Sequence, residues 1–420
     1  MKDQNKMNKE RYFEYIQFDL KFFDRLFDET NQTKNELEET KEELEQAKMK
    51  LKEAVDDIKQ TKSEINKYTQ SVIVAGFDKY NQLGVKSNNI NKTGMPIISP
   101  PLILSYDHSS LLSYSIYNSH SVLVKKDGSL HGIGYNTDGI ICGSLTKTEI
   151  SQFTEFSIND KDDHQLTPIS AVCSYNGTLY MLSKSTGIGK QLVYCDSEIN
   201  GGNPIFLDIG NHEPIALFGG CLHAAAISKE GEIIFIQREL VKNSPNSLIS
   251  AVSIPNNEKA KSIACCDDSI IVLSSNDRVF SSPVDSESNI LSFSIVEELA
   301  GEEIVCISGM YNHFLAVSKE GRVFGCGSNA NGRLSLGKET KSVSSFTEIL
   351  TLGGYQIRSA YAGYSHSLFE TCEGQILSCG SNVSGQLLIN KCPSDDVYSP
   401  TETTIRGGAP IFFDNQNPYR

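Results

Sequence analysis

The chain has 420 residues, of which 39% are hydrophobic and 21% charged, so it can bury a large core, and no apolar run is long enough to cross a membrane as a helix. Its formal net charge of −14 disfavours the basic, phosphate-neutralising face that nucleic acid requires. Residues 1–30 mix charged and aromatic side chains without an apolar secretory core or a small-residue cleavage site, so a cytoplasmic location is expected, with the nucleus as the alternative.

From Met1 to Ala75 there is no glycine and no proline, and from Asn35 to Tyr68 the composition is dominated by Glu, Lys, Leu and Ala, all good helix formers. Residues 1–70 therefore read as a helical region, 71–420 as a second domain. Leu37, Leu44, Leu51, Ile58 and Ile65 recur every seventh residue, with Thr40, Ala47, Ala54, Thr61 and Tyr68 at the complementary position. That spacing fits a coiled coil with a weak second seam, through which residues 37–68 would form a homo-oligomer or recruit a partner helix. A single amphipathic helix is the alternative. The segment Tyr12–Phe27, with seven aromatics, reads as a docking helix or the remnant of a preceding module.

After residue 70 the pattern changes to short β-prone segments closed by turn pairs such as Asp127-Gly128 and Glu320-Gly321. GRVFGCGSNANGRL from Gly321 and GQILSCGSNVSGQL from Gly374 are two copies of one unit, and GSLHGIGYNTDGII from Gly128 and SVIVAGFDKYNQLG from Ser71 are earlier ones. Each later copy follows an apolar strand that opens on a histidine: His120, His223, His313 or His366. Gly177 and Ser269 hold the histidine position in two degenerate units, which makes the period near fifty residues. A repeat of that length is one supersecondary unit of a propeller, solenoid or array. Within the unit, Gly134, Gly327 and Gly380 stand after an apolar strand, Asn136, Asn329 and Asn382 two residues on, and Gly332 and Gly385 three further.

These residues resemble the repeat of the regulator of chromosome condensation family, whose pattern runs A-G-x-x-H-S-x-A-L-x-x-D-G-x-V-x-x-W-G-x-N-x-x-G-Q-L-G. Ala362 to Leu387 is the best single match, and the resemblance covers about residues 71–410. It implies an all-β, seven-bladed propeller with four short strands per blade. At the family's tryptophan position this chain has Ile133, Cys326 and Cys379, so its blade cores should be packed with smaller residues. The first unit begins in its middle at Val72, and an apolar run, Ile411–Phe413, follows the last one. Pairing the two would close the ring and leave no sheet edge open.

No catalytic, cofactor or metal set stands out. The four histidines recur at one structural position, which argues for packing or hydrogen bonding rather than a cluster. Gly187-Ile-Gly189-Lys190 lacks the first glycine and the Ser/Thr of a phosphate loop. Asn159–His164 lacks the central glycine and terminal glutamate of a calcium loop. The eleven cysteines are an odd number without C-x-x-C pairs and read as reduced thiols. The expected function is a non-enzymatic protein-interaction scaffold with an unidentified protein partner. The resemblance implies two alternatives: a guanine-nucleotide exchange factor or regulator acting on a small GTPase, and a substrate adaptor for ubiquitin ligation.

Overall fold

The computed structural model describes residues 45–50, 52, 72–77, 89–90, 96–104, 111–117, 120–136, 149–159, 165–174, 178–185, 189–196, 203–220, 222–244, 246–285, 291–389 and 396–406. Two compact units divide the chain, Met1–Lys67 and Tyr68–Arg420. In the first, residues 45–50 and 52 are helical, and Lys48 pairs with Glu45 one turn back at 2.9 Å. The rest of the expected coiled coil and the aromatic segment 12–27 lie outside the described residues.

The second unit is built of antiparallel sheets. Sheet 1 pairs Val72–Phe77 with Pro96–Leu104, which also pairs with Asn89–Ile90. Sheets 2 to 7 have four strands each, in chain order. Their first strands are Leu111–Tyr117, Thr167–Ser174, Pro214–Gly219, Ala260–Cys265, Ile304–Met310 and Ile357–Ala362. Their second strands are His120–Lys125, Thr178–Ser185, His223–Ser228, Ser269–Ser274, His313–Ser318 and His366–Thr371. The third strands are Leu130–Tyr135, Gly189–Cys195, Ile233–Gln237, Val279–Pro283, Val323–Ser328 and Gln375–Gly380, and the fourth are Glu149–Phe156, Ile205–Phe206, Ala251–Val252, Ser294–Ile295, Ser342–Glu348 and Val397–Arg406. The expected partner of Val72–Ala75, Ile411–Phe413, lies outside the described residues.

Second strands such as HAAAIS and HFLAVS are buried at every position, as a strand must be when neighbouring sheets cover both of its faces. The core is accordingly a series of layers between consecutive sheets. Tyr180, Leu192 and Tyr194 of sheet 3 meet Ala224, Ala226 and Ile236 of sheet 4. Phe235 of sheet 4 meets Ile270, Val272 and Phe280 of sheet 5, and Ile271 and Leu273 of sheet 5 meet Phe314 and Ala316 of sheet 6. The small residues at the tryptophan position fit this packing: Ile133 and Cys379 are fully buried. The cysteines of the described residues are free thiols.

Consecutive sheets are also joined through their backbones. In sheets 4, 5 and 6 the carbonyl at the tip of the hairpin between second and third strands accepts the amide that opens the next sheet. Ala260 N donates to Gly231 O at 2.9 Å, Ile304 N to Asp277 O at 3.1 Å and Ile357 N to Gly321 O at 3.3 Å. The tip residue has positive φ in each case, +89° at Gly231, +58° at Asp277 and +81° at Gly321. At Gly231 a Cβ would lie 2.5 Å from Lys259 Cβ, and at Gly321 one would lie 2.9 Å from Ile357 N. Glycine is thus required at Gly231 and Gly321 twice over, by conformation and by the neighbour's approach. Sheet 5 has Asp277 instead, one of the few side chains tolerated in that region.

We expect Gly321→Val to destabilise the protein by more than about 2 kcal/mol, because it adds strain and costs a buried backbone bond. Asp277→Gly should change stability by less than about 0.5 kcal/mol, since relief of strain offsets loss of the exposed Lys261 pair. Urea denaturation of the two variants checks the contrast. Equal losses would mean that the tip conformation does not couple the sheets.

Candidate functional site

The repeat histidines open the second strands, immediately after the turn from the first, and all four are buried. They do not converge into a cluster. Two of them reach the next sheet. His223 Nε2 lies 2.8 Å from Asp267 O of sheet 5, and His313 Nε2 lies 3.0 Å from Ser367 Oγ of sheet 7. Ser367 Oγ donates its own proton to Arg333 O at 2.6 Å, so His313 must donate and its neutral form carries the proton on Nε2. Burial lowers the pKa of His120 to about 4, and burial together with the nearby Arg333 charge lowers that of His366 to about 3. Burial also holds His223 and His313 below the usual histidine range.

Three repeat glycines of the third strands face these histidines in register: Gly134 faces His120, Gly327 faces His313 and Gly380 faces His366. Their φ values are +107°, +100° and +111°. A Cβ on Gly327 would fall 2.3 Å from Asn312 O, and one on Gly380 would fall 2.5 Å from Ser365 O. The strand stays paired there but shifts register against the fourth strand just before each glycine. Asn136, Asn329 and Asn382 follow, all buried. Asn329 Nδ2 donates to Gly337 O and Thr340 O, both at 2.8 Å, and its Oδ1 accepts Leu334 N at 3.0 Å. Asn382 Oδ1 accepts Leu387 N at 3.2 Å. Gly332 and Gly385, with φ of +84° and +79°, complete the same loop. These positions are framework.

Sheets 3, 4 and 5 solve the junction differently. Thr178, one residue beyond Gly177, opens the second strand of sheet 3 and occupies the histidine position; Gly177 itself lies outside the described residues. Asp196 holds the place of the third-strand glycine. Thr178 Oγ1 and Tyr194 Oη donate to Asp196 Oδ2 at 2.9 and 2.7 Å, and Arg238 Nε reaches the same oxygen at 2.7 Å. Arg238 opens a short helix, Arg238–Asn243, which replaces the glycine-asparagine turn of sheet 4. A buried ion pair thus spans sheets 3 and 4, and Asp196 is fully enclosed. Sequence reasoning missed it. The signal was an acid at a position where intact units have glycine.

The weak motifs fall where ordinary strands and loops are. Gly189 and Lys190 pair with Ser185 and Lys184 in a hairpin, and Asn159 bridges to Gln165 across the base of the acidic loop. Among the described residues, His212, Glu230 and Glu232 bring three metal-ligating atoms within 4.8 Å of one another. Those donors already engage each other and a neighbour: His212 Nδ1 lies 3.0 Å from Glu232, and Ser253 Oγ donates to Glu232 at 3.0 Å.

What varies between sheets is the turn from first to second strand, together with the loop leaving the third. In sheets 5, 6 and 7 these form one continuous surface. Asp267 N donates to Tyr311 O at 2.8 Å, and the Tyr311 and Tyr364 rings stack with centroids 4.1 Å apart. Below them Arg333 is buried, donating to Tyr364 O at 2.9 Å, Asn312 Oδ1 at 2.7 Å and Asn331 Oδ1 at 3.2 Å. Asn331 Nδ2 in turn donates to Asp396 at 3.0 Å.

The family model described as the regulator of chromosome condensation (RCC1) repeat matches residues 320–369, and a second model of that repeat matches 304–333. Residues 304–369 thus match the repeat of that family. The secretion-regulating guanine nucleotide exchange factor of Bos taurus is 42% identical over 81 residues, 19% of this chain and 17% of that protein. The human probable E3 ubiquitin-protein ligase HERC6 is 36% identical over 88 residues, 21% of this chain and 9% of that protein. The chain therefore spans less than a fifth of either relative. Among solved structures, human WBSCR16 superposes with a TM-score of 0.63 at 17% identity, covering 80% of this chain and 95% of that one. Prp20p of Saccharomyces cerevisiae, a protein with binding properties to Gsp1p and histones, superposes at 0.60 with 15% identity, covering 80% and 86%. These likenesses show the fold.

Two outcomes test the framework roles. Neutral buried histidines bind fewer protons than the unfolded chain between their lowered pKa values and about 6.5, so their stabilisation is complete above about pH 6.5 and falls away below it, by at most about 1.4 kcal/mol per pH unit for each. Melting temperature should therefore drop from pH 7 to pH 5, and His366→Gln should flatten that slope; an unchanged slope would contradict a neutral buried ring. Asp196→Ala should cost about 3–5 kcal/mol by stranding the Arg238 charge. A loss under about 1 kcal/mol in chemical denaturation would show that solvent already reaches the pair.

Proposed function

We propose that this chain is a non-enzymatic protein-interaction scaffold. Its second unit is a seven-bladed propeller in which a strand beyond residue 406 completes sheet 1, and its framework presents variable turns at one end of the sheets to a protein partner. The observation that carries this reading is the use made of the repeat positions. The buried histidines, glycines and asparagines serve blade-to-blade and turn geometry, while the residue two before the second strand changes along the chain, from Cys221 before His223 to Asp267 before Ser269 and tyrosine at Tyr311 and Tyr364. Residues 37–68 serve oligomerisation or recruitment, and the protein works in the cytoplasm, with the nucleus as the alternative.

Regulation of a small GTPase is the second reading, favoured by the similarity to the secretion-regulating exchange factor and by the fold shared with Prp20p. An exchange factor would hold the nucleotide-free GTPase more tightly than the loaded form. A role as substrate adaptor for ubiquitin ligation rests on the similarity to HERC6, in a chain that matches only a small part of that ligase.

Release of labelled GDP from a Ran-type GTPase separates these readings. The scaffold reading expects no acceleration at micromolar protein; a tenfold rate increase, about 1.4 kcal/mol off the release barrier, would promote the exchange factor. Affinity capture with the intact chain should recover a specific protein partner. Recovery of none would remove the scaffold reading.

A further inference from the structure

We infer that the turn surface of sheets 5 to 7 is a docking site for an arginine-bearing segment of a partner protein, with the Tyr311–Tyr364 pair as its platform. The inference deepens the scaffold reading and rests on it. Tyr311 and Tyr364 are both partly exposed and stack nearly parallel, with 16° between their planes. Tyr311 holds φ at +56°, a conformation unfavourable for an aromatic residue and one that the fold retains at the tip of a turn. The ring is held there by backbone, since its carbonyl is fixed to Asp267 N.

The charge around this pair selects the occupant. Asp268 is exposed and Asp267 and Asp396 partly exposed, while Arg333, the cation beneath, is buried and spends its N–H groups on Ala330, Asn312, Tyr364 and Asn331 oxygens. Lys338 and Lys341 are exposed further along the same loop, where Lys341 Nζ turns back to Lys338 O. Among the described residues, three acids against one buried cation leave the platform net negative. A guanidinium satisfies both features, because its plane stacks on an aromatic ring and its N–H fork matches carboxylates. An acidic segment would meet repulsion from the same three groups.

The test uses the full chain and a fluorescein-labelled (Gly-Arg)5 peptide, read by anisotropy at 0.15 M salt, with (Gly-Glu)5 as control. We expect saturable binding of the arginine peptide alone. Tyr311→Leu/Tyr364→Leu should weaken it at least tenfold, and so should Asp268→Asn/Asp396→Asn, which removes two charges and keeps an amide oxygen to accept the Asn331 and Ser269 bonds. Glu230→Gln/Glu373→Gln removes the same charge from exposed hairpins at the other end of the strands and should leave binding within twofold. Absence of arginine-peptide binding, binding of the glutamate peptide, or equal weakening by both acid pairs would overturn the inference. If affinity capture recovers a partner whose binding ignores Tyr311 and Tyr364, the scaffold reading stands and this surface falls.

Discussion

The hydrogen bond from the amide opening one sheet to the hairpin tip of the sheet before it is the constraint on which the rest of the molecule depends. Each such bond is worth only about 1 kcal/mol net, but at Gly231 and Gly321 it forms where two backbone segments approach too closely for a side chain. It therefore fixes the spacing and rotation of consecutive sheets. With that spacing set, apolar faces such as Phe235 against Phe280 close into layers, and the opposite ends of the strands are brought into a common surface. Stability and display are thus two results of one geometry, as expected where each repeat contacts only its neighbours.

At the other end of the strands the junctions are chemically diverse. His313 crosses to sheet 7 as a neutral donor, Cys266 Sγ reaches His313 O at 3.2 Å, and between sheets 3 and 4 a buried carboxylate and guanidinium span the gap. Desolvating such a pair is costly, and its attraction compensates only because Thr178 and Tyr194 fill the remaining acceptor sites of Asp196. Loss of the glycine-asparagine turn from the middle sheets is therefore a replacement of one junction by another. Their loops are free to differ without loosening the stack.

Much of this was legible from residues alone. Gly134, Gly327 and Gly380 were marked by recurrence in phase, and their φ values near +100° explain why no other residue fits. The histidines were read as framework because recurrence at one structural position argues for packing or hydrogen bonding, and His223 and His313 each lie within hydrogen-bond distance of the next sheet. Gly177 was assigned to the histidine position, whereas Thr178 opens the second strand, because sequence spacing carries no register. Asp196–Arg238 was invisible for a related reason: its partners are 42 residues apart and belong to two units that match the repeat poorly. The Tyr311–Tyr364 stack likewise joins two turns that only the packing of sheets 6 and 7 brings together.

Native-state hydrogen exchange at the amides of Ala260, Ile304 and Ile357 tests the central claim most directly. If hairpin tips lock consecutive sheets, these three amides should exchange only through global unfolding, with protection equal to that of the buried second-strand amides and the same dependence on denaturant. Exchange through small local openings, insensitive to denaturant and much faster than at Leu315 or Phe369, would contradict it.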